Sequence, residues 1–273
     1  MLDSTVSKRQ RRESVLGVPV CILSWVDAVD YIFCWALRRE SRIVCVCDVH
    51  SVVTARRNLA HAAAIQGADL VTPDGAPVAW MLRRRGHKEQ VRISGPDLMW
   101  ACCGKASEDG TEMFLYGGTA TALRSLERRL RTEFPGINVV GALSPPFRDP
   151  SAEEDAAIVD MINRSGAGIV WVGLGCPKQE AWMRAHHGRV NAVMVGVGAA
   201  FDFHAGVVER APLWMRRNGL EWLHRLFQDP RRLAKRYLIG NSLFIVAVSL
   251  DFLLGQARSA RRGASLDAFR GKL

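Results

Sequence analysis

Several polar residues stand beside glycines at the ends of apolar runs, where a folded chain can use them. Thr72-Pro73-Asp74-Gly75 places a carboxylate directly before a helical stretch. Such a group can take a proton from a hydroxyl, although Asp before Gly is also a common turn pair. Gly173-Leu174-Gly175-Cys176-Pro177-Lys178-Gln179-Glu180 follows another apolar run and opens a helix, with Pro177 suited to its first position. The free N–H groups of that turn, with Lys178 nearby, suit an anion such as phosphate, and the same glycines also suit a plain tight turn. Lys178 stands where a dinucleotide fingerprint needs its third glycine, and Gly196-Val197-Gly198 lacks that glycine too. Arg92-Ile93-Ser94-Gly95-Pro96-Asp97 adds a loop carrying a cation. In Phe201-Asp202-Phe203 the carboxylate is either a buried cap or a reader of a ligand's hydrogen-bond donors.

Metal chemistry has little support in the sequence. There is no Asp-x-Asp pair, and Asp48 with His50 or His186 with His187 supplies no set of three convergent ligands. Neither a Gly-x-x-x-x-Gly-Lys-[Ser/Thr] loop nor a Gly-x-Ser-x-Gly elbow occurs. The 7 cysteines include no Cys-x-x-Cys and read as small core residues in a reducing compartment.

The elements that must position these residues follow from periodicity. Val15–Leu23 reads as a first strand, and Val29, Ile32, Phe33, Ala36 and Leu37 share one helical face behind it. Strands are expected at 43–47, 68–72, 113–116, 137–140, 168–172 and 192–197, with a helix from about 51 to 66 and another capped by Thr119. Strands alternating with helices imply an α/β fold, a mostly parallel sheet covered by helices on both faces. Ligands of such sheets bind at the carboxyl ends of the strands, which here are the glycine-bearing loops.

After Gly206 the composition changes. Residues 207–241 hold 8 Lys/Arg against 3 acids, interleaved with Trp214, Trp222 and Tyr237, and 243–254 is apolar except for Ser249 and Asp251. That run is shorter than the about 20 residues a bilayer span needs, so a helical appendage lying in the membrane interface is expected. The expected organisation is a disordered basic N-terminus (1–14), a catalytic core (15–206), the appendage (207–255) and a flexible tail (256–273). The whole chain, 273 residues with a net charge of +10, has an ordinary globular composition and favours an anionic partner.

Taken together, these stretches resemble the WecG/TagA/CpsF glycosyltransferases (glycosyltransferase family 26). The matching blocks are Pro73-Asp74-Gly75, Arg92-Ile93-Ser94-Gly95, Phe114-Leu115-Tyr116-Gly117-Gly118, the Gly173–Glu180 loop and Gly196–Gly206, continued by Arg210-Ala211-Pro212-Leu213-Trp214-Met215, Gly219–Leu226 and Pro230-Arg231-Arg232. They run in the family's order over roughly residues 15–245. The resemblance implies a Rossmann-like core with a membrane-associating appendage, at the cytoplasmic face of the cell membrane. It implies an inverting enzyme, without metal or cofactor, that moves a sugar from a UDP-sugar donor to a polyprenyl-diphosphate-linked sugar acceptor. The donor sugar would be N-acetylmannosamine, its uronic acid or glucose. By motif, Asp74 would be the general base, Arg92 and Gln179 would line the catalytic pocket, and Asp202 would lie near the nucleotide base. Arg225, Arg232 and Arg236 would reach the diphosphates, and Gly117, Gly118, Gly175 and Lys178 would complete the substrate loops. Val46-Cys47-Asp48 stands where many members carry Thr-x-Asn, a departure from the family's pattern at the donor contacts, with Asp48 counted among the substrate-binding residues. A nucleotide-binding protein of another enzyme class would need the missing glycine fingerprint, and a nucleic-acid-binding module would leave the glycine loops unexplained.

Overall fold

The computed structural model describes residues 10–253. The segment expected to be a tail, 256–273, lies outside the described residues, as does the basic stretch up to residue 9. Among the described residues the elements begin with a hairpin, β1 (Arg12–Val15) and β2 (Val18–Cys21). This corrects the single strand expected over Val15–Leu23, and it brings 12–14 out of the stretch expected to be disordered. Leu16 and Gly17 both take positive φ (51° and 94°), so the apolar run turns back on itself instead of continuing. The hairpin packs beside the main sheet, with Arg12 donating to the carbonyls of Ala68 and Asp69 at 2.7 and 2.8 Å.

The main sheet contains β3 (Arg42–Cys47), β4 (Leu70–Pro73), β5 (Glu112–Gly117), β6 (Asn138–Leu143), β7 (Ile169–Gly173) and β8 (Val193–Gly196). All its pairings are parallel, in the order β4-β3-β8-β7-β5-β6. Four consecutive residues of β7, Ile169–Val172, are fully buried, as are Val193, Met194 and Val195 of β8. Successive side chains point to opposite faces, so both faces must be covered, as the α/β reading required. The covering helices include α1 (Trp25–Leu37), whose Ser24 and Asp27 form a capping box. Ile32, Phe33 and Ala36 are buried as the periodicity predicted, but Leu37, the last residue of the helix, is 71% exposed.

The helix expected over 51–66 is broken into α2 (Val49–Ala55) and α3 (Leu59–Gln66). Asp48 caps the first through Ser51 N–H (2.8 Å), and Asn58 restarts the second through His61 N–H (3.0 Å). The remaining core helices are α4 (Ala76–Arg84), α5 (Gly95–Asp109), α6 (Ala120–Glu133), α7 (Ala152–Ser165), α8 (Lys178–His186) and α9 (Ala200–His204). Thr119 caps α6 as expected, and Leu123, Leu126 and Leu130 are buried. Pro177 stands one position before α8 instead of inside it.

The appendage contains α10 (Leu213–Arg217), α11 (Glu221–Gln228) and α12 (Pro230–Leu253), the last carrying a π-helical turn at Lys235–Ile239. α12 has 24 residues, and its most apolar 18-residue window has a mean hydropathy of 1.4, so by length and composition it is long and apolar enough to cross a membrane; the apolar run read from the sequence forms its C-terminal half. In this structure it is tied to the core. Phe244 is buried, Asp251 pairs with Arg85 at 2.6 Å, and Arg84 covers the Phe252 ring.

Candidate active site

Parallel strands deliver their carboxyl ends to one edge of the sheet, and α12 lies across that edge. Between them runs a cleft of about 1110 Å³. Asp48, Asp74, Arg92, Gly175, Gln179, Asp202, Arg225, Arg232 and Arg236 all line it, although they come from segments spread over most of the chain. Gly117, Gly118 and Lys178 do not. A Cβ on Gly117 would come within 2.6 Å of the Gly173 carbonyl, and Gly118 N–H donates to that oxygen at 3.1 Å, so this pair joins β5 to β7. The Lys178 side chain is exposed at the start of α8.

Asp74 follows β4 and lines the cleft, half-buried. Its N–H donates to the Cys47 carbonyl (2.9 Å), which fixes the backbone, while Oδ1 accepts from Gly75 N–H (2.6 Å). Gly75 takes φ +80°, a conformation that suits glycine. Burial pushes the Asp74 carboxyl up to about 7; the Arg92 cation draws it down, and the charges of Asp48 and Glu221 oppose its ionisation. A carboxylate tuned to that range suits proton abstraction near neutral pH.

Arg92 is anchored from the appendage. Its guanidinium lies 3.2 Å from Glu221 and 3.6 Å from Asp97. Arg210 in turn grips Asp97 through both oxygens (2.6 and 2.8 Å) and reaches Glu221 at 3.2 Å. Burial of Asp97 would raise its pKa, but the hydrogen bonds and charge of Arg210, with Ser94, hold it at about 2. Glu221, Asp97 and Arg210 were not among the residues singled out for chemistry. A Ser94-x-x-Asp97 capping pattern was visible in the sequence, whereas the reach of Glu221 to Arg92 was not.

Asp48 spends one oxygen capping α2 and the other accepting from Arg236 at 3.3 Å. Gln179 is 4% exposed and donates to Glu180 at 2.9 Å. Its Oε1 is buried and has no hydrogen-bond partner. Asp202 opens on both the cleft and an adjoining recess of about 290 Å³, shared with Phe203, Arg225, Asp229 and Arg232. Burial raises its pKa, with Arg232 and Arg225 pulling the other way. Arg225 lies over the Phe203 ring at 5.2 Å, and Asp229 holds Arg232 at 2.6 Å. Preorganised arginines at a half-enclosed cleft can receive a group whose negative charge grows during reaction.

Among the described residues, one group has the composition of a metal site: His61, Cys176 and Glu180, beside the cleft.

Compared with known protein families, the chain matches the model of the glycosyl transferase WecG/TagA/CpsF family over residues 13–258.

Proposed function

With the chain thus belonging to the WecG/TagA/CpsF glycosyltransferase family, we propose that it transfers a sugar from a UDP-sugar to a sugar carried on polyprenyl diphosphate. The observation that carries this reading is Asp74, a carboxylate tuned to about 7 in a cleft whose other walls supply arginines. Asp74 takes the proton of the acceptor hydroxyl as that oxygen attacks the anomeric carbon. The bond from this carbon to the UDP oxygen breaks on the opposite face, so the anomeric centre inverts and UDP leaves with its electron pair. Arg225, Arg232 and Arg236 meet the diphosphate charge, and Gln179 lines the pocket that takes the sugar. The recess beside Asp202 takes the nucleobase, whose N–H suits a carboxylate acceptor. Asp48 keeps its oxygens on α2 and Arg236, so it acts on the donor by setting the position of that arginine.

The chemistry needs neither Mg²⁺ nor Mn²⁺, because fixed cations and backbone N–H groups take the place of a hard ion at the diphosphate. The site belongs at the cytoplasmic face of a membrane, where α12 and the surrounding cations meet anionic lipid. The donors to test are the UDP forms of N-acetylmannosamine, its uronic acid and glucose. The experiment is a screen of these radiolabelled donors against a short-chain polyprenyl-diphosphate sugar, without divalent ions. Transfer of one of them that is lost in Asp74→Asn is the expected result. UDP release with water as the only acceptor, or transfer undiminished in Asp74→Asn, would overturn it.

A further inference from the structure

We propose that His61, Cys176 and Glu180 form a binding site for a divalent transition-metal ion of the zinc class, beneath the cleft and apart from the sugar chemistry. The three residues arrive from separate elements: His61 from α3, Cys176 from the loop after β7, and Glu180 from the first turn of α8. One ligand atom from each lies within 4.8 Å of the others. His61 Nε2 is 3.7 Å from Cys176 Sγ, and His61 Nδ1 is 3.8 Å from Glu180 Oε2. Around a tetrahedral zinc with bonds of about 2.0–2.3 Å, neighbouring ligand atoms stand roughly 3.3–3.6 Å apart. The trio is therefore slightly open, and either ring nitrogen can be the one that ligates.

A second observation points to an ion. The side chains of His61 and Glu180 are each 1% exposed, yet His61 Nδ1 and Glu180 Oε2 have no hydrogen-bond partner. Buried polar atoms are rarely left so, because nothing then offsets their lost hydration. The same molecule shows what a simple histidine–carboxylate pair looks like: His186 Nε2 closes on Asp155 Oδ1 to 2.8 Å. His61 and Glu180 instead stand about an ångström further apart with both atoms unsatisfied.

The donor set also selects the ion. One thiolate, one carboxylate and one neutral imidazole exactly offset a charge of +2, which suits a buried place. Sulfur with imidazole favours zinc over magnesium or calcium. Binding replaces the Cys176 thiol proton with the ion and releases that proton to solvent. Ser51 Oγ, 3.7 Å from Cys176 Sγ, is placed to orient the sulfur. The half-buried Cys176 faces the cleft, so a fourth position stays open to water. An ion here would pin the Gly175-Cys176 loop to α3 and so steady the cleft wall that carries Gln179.

The test uses the full chain, stripped of metal and titrated with Co²⁺ as a spectroscopic substitute for Zn²⁺. A thiolate-to-cobalt charge-transfer band that saturates stoichiometrically and is displaced by Zn²⁺ is expected. The band should vanish in Cys176→Ser, and His61→Gln should weaken Co²⁺ binding at least about ten-fold, with circular dichroism confirming the fold of each. An independent reading comes from wild type alone: Zn²⁺ should slow alkylation of Cys176, followed by peptide mapping. Wild type without the band, a band that survives Cys176→Ser, or Cys176 alkylation indifferent to Zn²⁺ would each overturn the site. The alkylation result decides if a variant does not fold.

Discussion

In the proposed mechanism Asp74 must carry charge in a place that resists it, with consequences for both activity and stability. Its folded pKa of about 7 stands above the ordinary value of 3.8. Between these values the native state keeps a proton that the unfolded chain has released, so this group's contribution to stability falls as pH rises from about 4 to about 7. Asp74→Asn removes the ionisable group while keeping an oxygen for Gly75 N–H. It should lower transfer by about 10²–10⁴-fold, leave UDP affinity within a few-fold, and raise the melting temperature at pH 8. Activity assays, calorimetric UDP titration and thermal unfolding check the three parts. In wild type, log kcat/KM should fall with unit slope below about pH 7 and be flat above it. A profile flat down to pH 5 would take Asp74 out of the proton transfer. Asp97 behaves in the opposite sense. Its folded value of about 2 lies below the unfolded one, so its contribution is complete above about pH 4 and is lost as pH falls toward 2. Its side chain is 35% exposed, and solvent screening trims the coupling. Asp97→Asn should therefore cost about 1–2 kcal/mol at pH 7 and little near pH 2, measured by denaturant unfolding at both.

At the scale of elements, the sheet and its loops were legible in the sequence because short apolar runs ending in Gly or Asp carry their own punctuation. Parallel pairing then places Asp48, Asp74, Gly175 and Asp202 at one edge without any knowledge of long-range contacts. The hairpin was not legible, because Leu16 in a left-handed conformation breaks a run whose composition is continuous. Nor was the break between α2 and α3, where Arg56-Arg57-Asn58 contains no Gly or Pro and Asn58 acts through a cap. The His61–Cys176 approach joins residues 115 positions apart, beyond the reach of any spacing motif. For α12 the sequence showed apolar composition but not which side faces the core. Phe244 is buried, whereas Leu238, Leu243, Val246 and Leu250 are exposed. Changing those four to Ser should cost less than about 0.5 kcal/mol per site while reducing sedimentation with anionic vesicles. Phe244→Ala should cost about 3 kcal/mol. A quadruple variant that sediments like wild type would remove α12 from membrane association.

Over the whole molecule, several arginines pair with carboxylates across the boundary between core and appendage. Arg210 with Asp97, Arg92 with Glu221, Arg236 with Asp48 and Arg85 with Asp251 join core and appendage in both directions. The appendage is thus seated by ion pairs, with Leu233, Tyr237 and Phe244 on the buried side of α12. This makes one helix both a wall of the cleft and the bearer of an exposed apolar strip, and the two surfaces cannot respond independently. If a vesicle settles the helix into the position that best completes the cleft, UDP will bind tighter in its presence by some factor. Equilibrium then requires UDP to tighten vesicle binding by the same factor, since both are one coupling free energy seen from opposite ends. Calorimetric titration of UDP with and without anionic vesicles, set against vesicle partitioning with and without UDP, should return equal ratios. Ratios greater than one identify α12 as the part through which a surface and a nucleotide sense each other, and ratios of one describe a wall that is already rigid.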